Sequence, residues 1–145
     1  MALSNYCGSR STTDESSAKQ SAVDPQYWVV GATWGGQDDQ SPTFIRRGYW
    51  FLGWSDEEAP DQAHRRDQIR AGDRIAIKRM MGKGSQKIRI TALGIVAEVD
   101  EEDDRIYVNW VVKALDRQVE SKGCFKSIHG PYAGDDPWIK EVFLL

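Results

Sequence analysis

The sequence predicts an α+β fold, a small β pseudo-barrel of five to six strands with short flanking helices. Three observations carry this. Runs of β-branched and aromatic residues recur between residues 27 and 115, each ended by glycine or by a charged turn. Two short segments between the first runs instead carry helix start and stop signals. The chain has 145 residues, 40% hydrophobic and 28% charged, which suits one globular domain with a sizeable core. Many short strands most economically close on themselves, because closure hides the sheet edges.

Residues 1–25 are Ser-rich and without periodicity, and read as a disordered leader; the ordered domain is expected over 26–145. "YWVVGATW" (27–34), ended by Gly35-Gly36, predicts the first strand. In "SPTFIRRG" Ser41 is the expected N-cap, Pro42 the first helical residue and Gly48 the stop. "YWFLGW" (49–54) returns to extended structure, with Trp50, Leu52 and Trp54 on one face and Phe51 on the other, turned inside. "DQAHRRDQI" forms a second short helix capped by Asp61, and "AGDRIAIK" a turn into a strand with Ile75 and Ile77 inward. "MGKGSQ" is a basic, Gly-punctuated hairpin loop, and "IRITALGIVAEV" a long strand in which Gly94 marks a bulge. "DEEDDR" is a solvated acidic turn. "IYVNWVVKAL" sets Ile106, Val108, Trp110 and Val112 on one face, and "PWIKEVFLL" supplies the last strand. Trp28 and Trp110 are expected in the core, and Trp138 over one end of the barrel.

Charge is segregated. Residues 62–95 hold nine Lys/Arg against two acids, a net of +7, whereas residues 96–104 hold six acids and no base. A polyanion responds to the local field, so a net charge of −3 leaves one basic face available to nucleic acid. No apolar run is long enough to span a membrane, and no basic-then-apolar leader opens the chain. Cys7 and Cys124 lack zinc-ligand spacing, which fits reduced thiols in a cytoplasmic protein without a metal. There is no P-loop and no H-E-x-x-H motif. Cys124, Ser127 and His129 lie close in sequence, but nothing designates a third, orienting group, so no catalytic residue is assigned. No cofactor is implied.

The order of these segments resembles the PUA-like superfamily and its EVE and YTH branches. "YWVVGATWGG" looks like the opening strand of EVE proteins, and "FIRRGYW" like the YTH helix that ends at glycine before a cage tryptophan. "IRAGDRIAIK" matches the shared "GD" turn and strand, "ALGIVAEV" the glycine-containing strand, and "IYVNWVVKAL" a late tryptophan-bearing strand. The N-terminal EVE-like domains of McrB-type AAA+ restriction proteins are similar in the same places. The resemblance covers residues 27–115 and implies a reader that flips a methylated or otherwise modified DNA base into an aromatic cage. Its partner would then be an AAA+ motor domain or a nuclease subunit of a modification-dependent restriction system. By position Trp50 is the implied cage wall, with Trp34, Trp54 and Tyr49 as further candidates. Thr33 stands where the YTH pattern has a base-reading asparagine, and the acidic loop offers no second cage tryptophan. Thr33, Asn109 and Asp38 are the candidate base-edge contacts; Arg46, Arg47, Lys78, Arg79, Lys83 and Lys87 are the candidate phosphate contacts. The rivals are an RNA or tRNA-modification module of the same fold, an ASCH-type hydrolase, and a protein-interaction domain. A chain that ends directly after an apolar segment fits a domain cut from a longer protein.

Overall fold

The apolar run "YWVV" becomes an interior strand, buried on both faces. The computed structural model describes residues 24–144 apart from Gly35, Gly36 and Lys83, so nearly all of the expected leader and one expected phosphate contact, Lys83, lie outside the described residues. In chain order the elements are β1 (Tyr27–Gly31), β2 (Thr33–Trp34), β3 (Asp38–Asp39), α1 (Ser41–Arg47), β4 (Tyr49–Trp50) and α2 (Pro60–Arg66). There follow β5 (Arg74–Met80), β6 (Lys87–Asp100), β7 (Arg105–Val112), β8 (Arg117–Glu120), β9 (Ile128–Tyr132) and α3 (Pro137–Phe143). One seven-stranded sheet runs β9-β1-β5-β6-β7-β4, with β8 also on β6; β2 and β3 form a separate ladder. Among the described residues only β1 and β5 pair in parallel. The result is a small α+β domain, mostly strand, with three short helices among the described residues.

Both faces of the sheet are covered, and the alternation within each strand explains why. Trp28 and Val30 of β1, Ile75 and Ile77 of β5, and Val108 and Trp110 of β7 point to one side, where Phe44 of α1, Ala63 of α2, Trp50 and Ile69 close over them. Tyr27, Val29, Ala76, Ile88 and Ile90 point to the other, against Trp138, Ile139, Val142 and Phe143 of α3. Each such fully buried aliphatic or aromatic side chain contributes about 1.5–3 kcal/mol. A bulge opposite Ile77 and Lys78 takes Thr91 out of register, so the two ends of β6 serve different cores. Gly94 sits at a second irregularity, against β7, where the Trp110 ring fills the space that a side chain would take.

The "GD" turn has a specific job. Asp73 is 4% exposed, and its carboxylate accepts the Trp28 indole N–H at 3.0 Å and the backbone N–H groups of Gln26 and Arg70 at 3.1 and 3.0 Å. One buried charge thereby satisfies three donors and locks the β1 and β5 starts together.

Four expectations change. The strands among the described residues do not close: β9 and β4 end the order without pairing to each other. "PWIKEVF" is a helix, with Asp136 as N-cap accepting from Trp138 N–H at 2.8 Å and Ile139 N–H at 3.3 Å. That places Trp138 on a helix over the second core, its indole N–H donating to Glu120 O. The strands β8 and β9, not foreseen, come from polar or Gly-Pro segments that gain order by pairing with β6 and β1. Both early helices begin sooner than expected, α1 by one residue and α2 by two: α1 contains Ser41, whose N–H donates to Asp39, and Asp61 lies within α2, which starts at Pro60, rather than capping it. Gly48 ends α1 as expected, at φ 76°.

Candidate functional site

The chain leaves β1 at Gly31 and crosses the end of β5, and here a cavity of about 730 Å³ opens. That is within the range of small-molecule sites, roughly 300–1,000 Å³. Trp34 forms one wall. Its half-buried ring is braced from behind by Phe51 and Phe44, with centroids at 5.3 and 6.2 Å. Gly53 is required for this: a Cβ there would lie 2.7 Å from Trp34 Cδ1. Trp54 and Phe125 stand at the rim, 50% and 59% exposed, and the Trp54 indole N–H donates to Ser127 Oγ at 3.0 Å. That bond ties the 51–59 segment to the 121–127 segment across the mouth.

Lys78 lies deep. It is 5% exposed, yet it lines the cavity. The only partner of its ammonium among the described residues is Met80 Sδ at 3.8 Å, a weak acceptor. Burial pushes its pKa below the ordinary lysine value. Arg79, at the rim, is paired with Asp39 at 3.0 Å, whereas Lys126 adds an exposed charge with no ion-pair partner among the described residues. The field also reaches His129. Burial first, then the charges of Lys78 and Arg65, hold its pKa near 4, and its Nε2 accepts the Lys126 N–H at 3.0 Å. It is neutral at pH 7. The Cys124 thiol is raised by burial, and its polar neighbour is the Tyr132 hydroxyl at 3.8 Å. An ammonium buried without a carboxylate costs stability, and it favours an anionic or acceptor-rich occupant.

Five expected site residues therefore come together: Trp34, Trp54, Thr33, Lys78 and Arg79. Trp50 does not join them. Its ring is fully buried, paired with Ile106 in the sheet and enclosed in the first core, so its expected role as a cage wall is corrected to a structural one. The reason is that β4 ends at Trp50, whose ring the pairing with β7 lays on the first core. Beyond it the chain leaves the extended structure expected over 49–54, so Leu52 is buried, Phe51 is only half-buried, and Trp54 turns out to the rim instead of sharing the face of Trp50 and Leu52. It meets the cavity only from behind, donating its indole N–H to Gly31 O at 2.9 Å. Tyr49 is half-buried against the same core, its ring 5.8 Å from Phe44 and 5.7 Å from Phe51, with Arg105 stacked on it at 4.8 Å, and it does not line the cavity. Asn109, Asp38, Arg46, Arg47 and Lys87 are exposed and line none of the described cavities. Sequence reasoning missed Phe125, Lys126 and Ser127. The signal was an aromatic–basic pair in a Gly-flanked loop, obscured by the attention that neighbouring Cys124 and His129 attract.

A further cavity of about 440 Å³ surrounds Arg66, which is 5% exposed and held by Asp56 at 3.2 Å, Asp67 at 3.0 Å and Asp104 at 3.7 Å. Its carboxylates already serve a cation of the chain. Among the described residues no group of three His, Cys, Asp or Glu is arranged to hold a metal ion, and no helix is long and apolar enough to cross a membrane.

Fold and site together define a small α+β domain with an aromatic-rimmed, electropositive cleft. Comparison with protein-family models, with curated proteins and with solved structures finds no match.

Proposed function

We propose that the domain binds nucleic acid and takes an extruded nucleobase into the cleft between β1, β5 and the 121–127 segment. The observation that carries this is Lys78, an ammonium without a carboxylate partner at the bottom of a cavity walled by Trp34, Trp54 and Phe125. A nucleobase presents a flat π face and a few acceptor atoms at its edge. The indoles stack on the face, for roughly 1–3 kcal/mol per base, which offsets the few kcal/mol of extrusion. Lys78 donates to a ring nitrogen or carbonyl at the edge, as lysine does to guanine O6 and N7. Thr33 supplies a second polar contact, and Lys126 and Arg79 meet the flanking phosphates.

The resemblance to the PUA-like EVE and YTH branches supports the ligand class, DNA carrying a modified base in the setting of a restriction system. It does not support the cage it implied, because Trp50 is buried and Trp34 takes the place of the wall. A buried methyl adds only about 0.8 kcal/mol, near fourfold in affinity. Preference for a modified base is therefore modest unless the wrong base leaves Lys78 without an acceptor. The test is tryptophan fluorescence titrated with adenine- and cytosine-methylated DNA, the unmethylated duplexes and matched RNA, using wild type, Trp34→Ala and Lys78→Met. Quenching by DNA that both substitutions weaken tenfold or more is the expected result. Affinity unchanged in both variants, or no binding to any oligonucleotide, overturns the proposal.

A further inference from the structure

Beside the first cavity lies another of about 420 Å³, and the two share Trp54, Phe125, Lys126 and Ser127. The Trp54–Ser127 hydrogen bond is thus a pillar between two chambers, and two half-exposed aromatic rings serve both. The second chamber differs in its polar lining. Gln62 is 7% exposed, and its Oε1 accepts the Ile128 N–H at 2.8 Å. That bond fixes the carboxamide, and its Nε2, which donates to no other described residue, is left open in the chamber lining as a donor. Glu58 is held at the rim by a reciprocal pair: its Oε1 accepts the Ser55 N–H at 3.0 Å while its own N–H donates to Ser55 Oγ at 3.1 Å. Asp61 adds a second carboxylate.

Resting on the reading of the first cavity as a base site, we propose that the second chamber takes the next nucleotide of the same strand, and prefers a base bearing an exocyclic amino group. The chemistry is complementary at each point. Trp54 and Phe125 offer stacking surface on both sides of the pillar. Lys126, common to both chambers, is where the linking phosphate would pass. Carboxylates accept from the amino groups of adenine or cytosine, which thymine lacks, while the Gln62 amide donates to a ring nitrogen or carbonyl of the same base.

The experiment is calorimetric titration of the chain with deoxyadenosine 5′-monophosphate and with the 5′-phosphorylated dinucleotides d(AA), d(AT) and d(TA), each repeated with its ribo counterpart. The dinucleotide d(AA) is expected to bind at least about tenfold tighter than the mononucleotide, and one of the two mixed dinucleotides to lose that gain. Ala59→Trp, which fills the second chamber, should abolish the gain and leave mononucleotide affinity unchanged. Asp61→Asn, a substitution that preserves size, should narrow the preference for adenine over thymine. A gain in the deoxy series, the ribo series or both supports the second subsite and identifies the sugar it takes. Equal affinity for mononucleotide and dinucleotide overturns the second subsite and leaves the first standing, as does a gain that survives both substitutions. Failure of every compound to bind at millimolar concentration overturns both.

Discussion

On the proposed reading, stability and ligand binding pull apart at Lys78. Its ammonium is buried against a thioether, and burial lowers its pKa in the folded chain below the unfolded value of 10.5. The sign follows directly. The unfolded state holds the proton more tightly, so the folded state bears a cost that is fully present at neutral pH. That cost fades only as pH rises through the folded pKa toward 10.5. Lys78→Met keeps the length of the stem and removes the charge. It should raise stability by about 1 kcal/mol at pH 7, roughly 4 °C in Tm, while weakening oligonucleotide binding tenfold or more. The stabilisation should shrink as the pH rises toward 10.5. Calorimetric melting at pH 7 and pH 10.5 checks this; a variant that melts below the parent at pH 7 would show that the ammonium has a favourable partner after all. At this scale the site was half legible. The search for further cage walls beside Trp50, and the basic stretch from Lys78 to Lys87, pointed to Trp34, Trp54 and Lys78. Trp50 misled because strand alternation says which side chains share a face, but not which face is solvent.

Within the elements, the long strand β6 shows how one residue can set geometry. Gly94 faces Trp110 across the ladder, and a Cβ at that position would lie 2.8 Å from Trp110 Cε3 and also collide with the Val108 side chain. Gly94→Ala should therefore cost about 1–3 kcal/mol by overpacking. Adding Val108→Ala should return part of that loss, although Val108→Ala alone destabilises by opening a cavity. Urea denaturation of the four proteins measures the coupling, and simple additivity would rule out this collision as the cause. Here the sequence was informative: a glycine in an otherwise β-branched run signals a bulge wherever it falls, and β5, β6, β7 and α1 carry such signals locally. Strands β8 and β9 do not. "RQVE" and "IHGPY" have no strong propensity, and their order comes from hydrogen bonds to β6 and β1 far away in the chain. The C-terminal helix was legible but overlooked. Asp136-Pro137 is a helix start, and Trp138 with Val142, and Ile139 with Phe143, lie four residues apart on one buried face. Apolar and β-branched content suggested a strand, and the spacing should have decided against it.

Across the whole molecule the charges are sorted, which matters for a chain whose net charge is −3. The acidic turn after β6 contributes Asp100, Glu101 and Asp104 to the cavity around Arg66, whereas Lys78, Arg79 and Lys126 line the first cleft. On the proposed reading, a nucleic acid would meet attraction at the cleft and repulsion at the acidic turn, and this asymmetry would orient it before contact. Lys78 is buried against the base edge and Arg79 is partly neutralised by Asp39, so on that reading one to two cations, Lys126 first, would displace counterions from a bound single strand. The logarithm of the affinity should then fall against the logarithm of salt concentration with a slope of about −0.7 to −1.4. Lys126→Gln should make that slope shallower by about 0.7, because one phosphate contact is lost. Asp100→Asn, on the acidic turn, should shift affinity slightly at low salt without changing the number of counterions released. Fluorescence titrations of one oligonucleotide between about 50 and 200 mM salt separate these effects. A slope near zero would mean that the cleft holds its ligand without phosphate contacts. Equal responses to the two substitutions would mean that a diffuse field, rather than the cleft, carries the electrostatics.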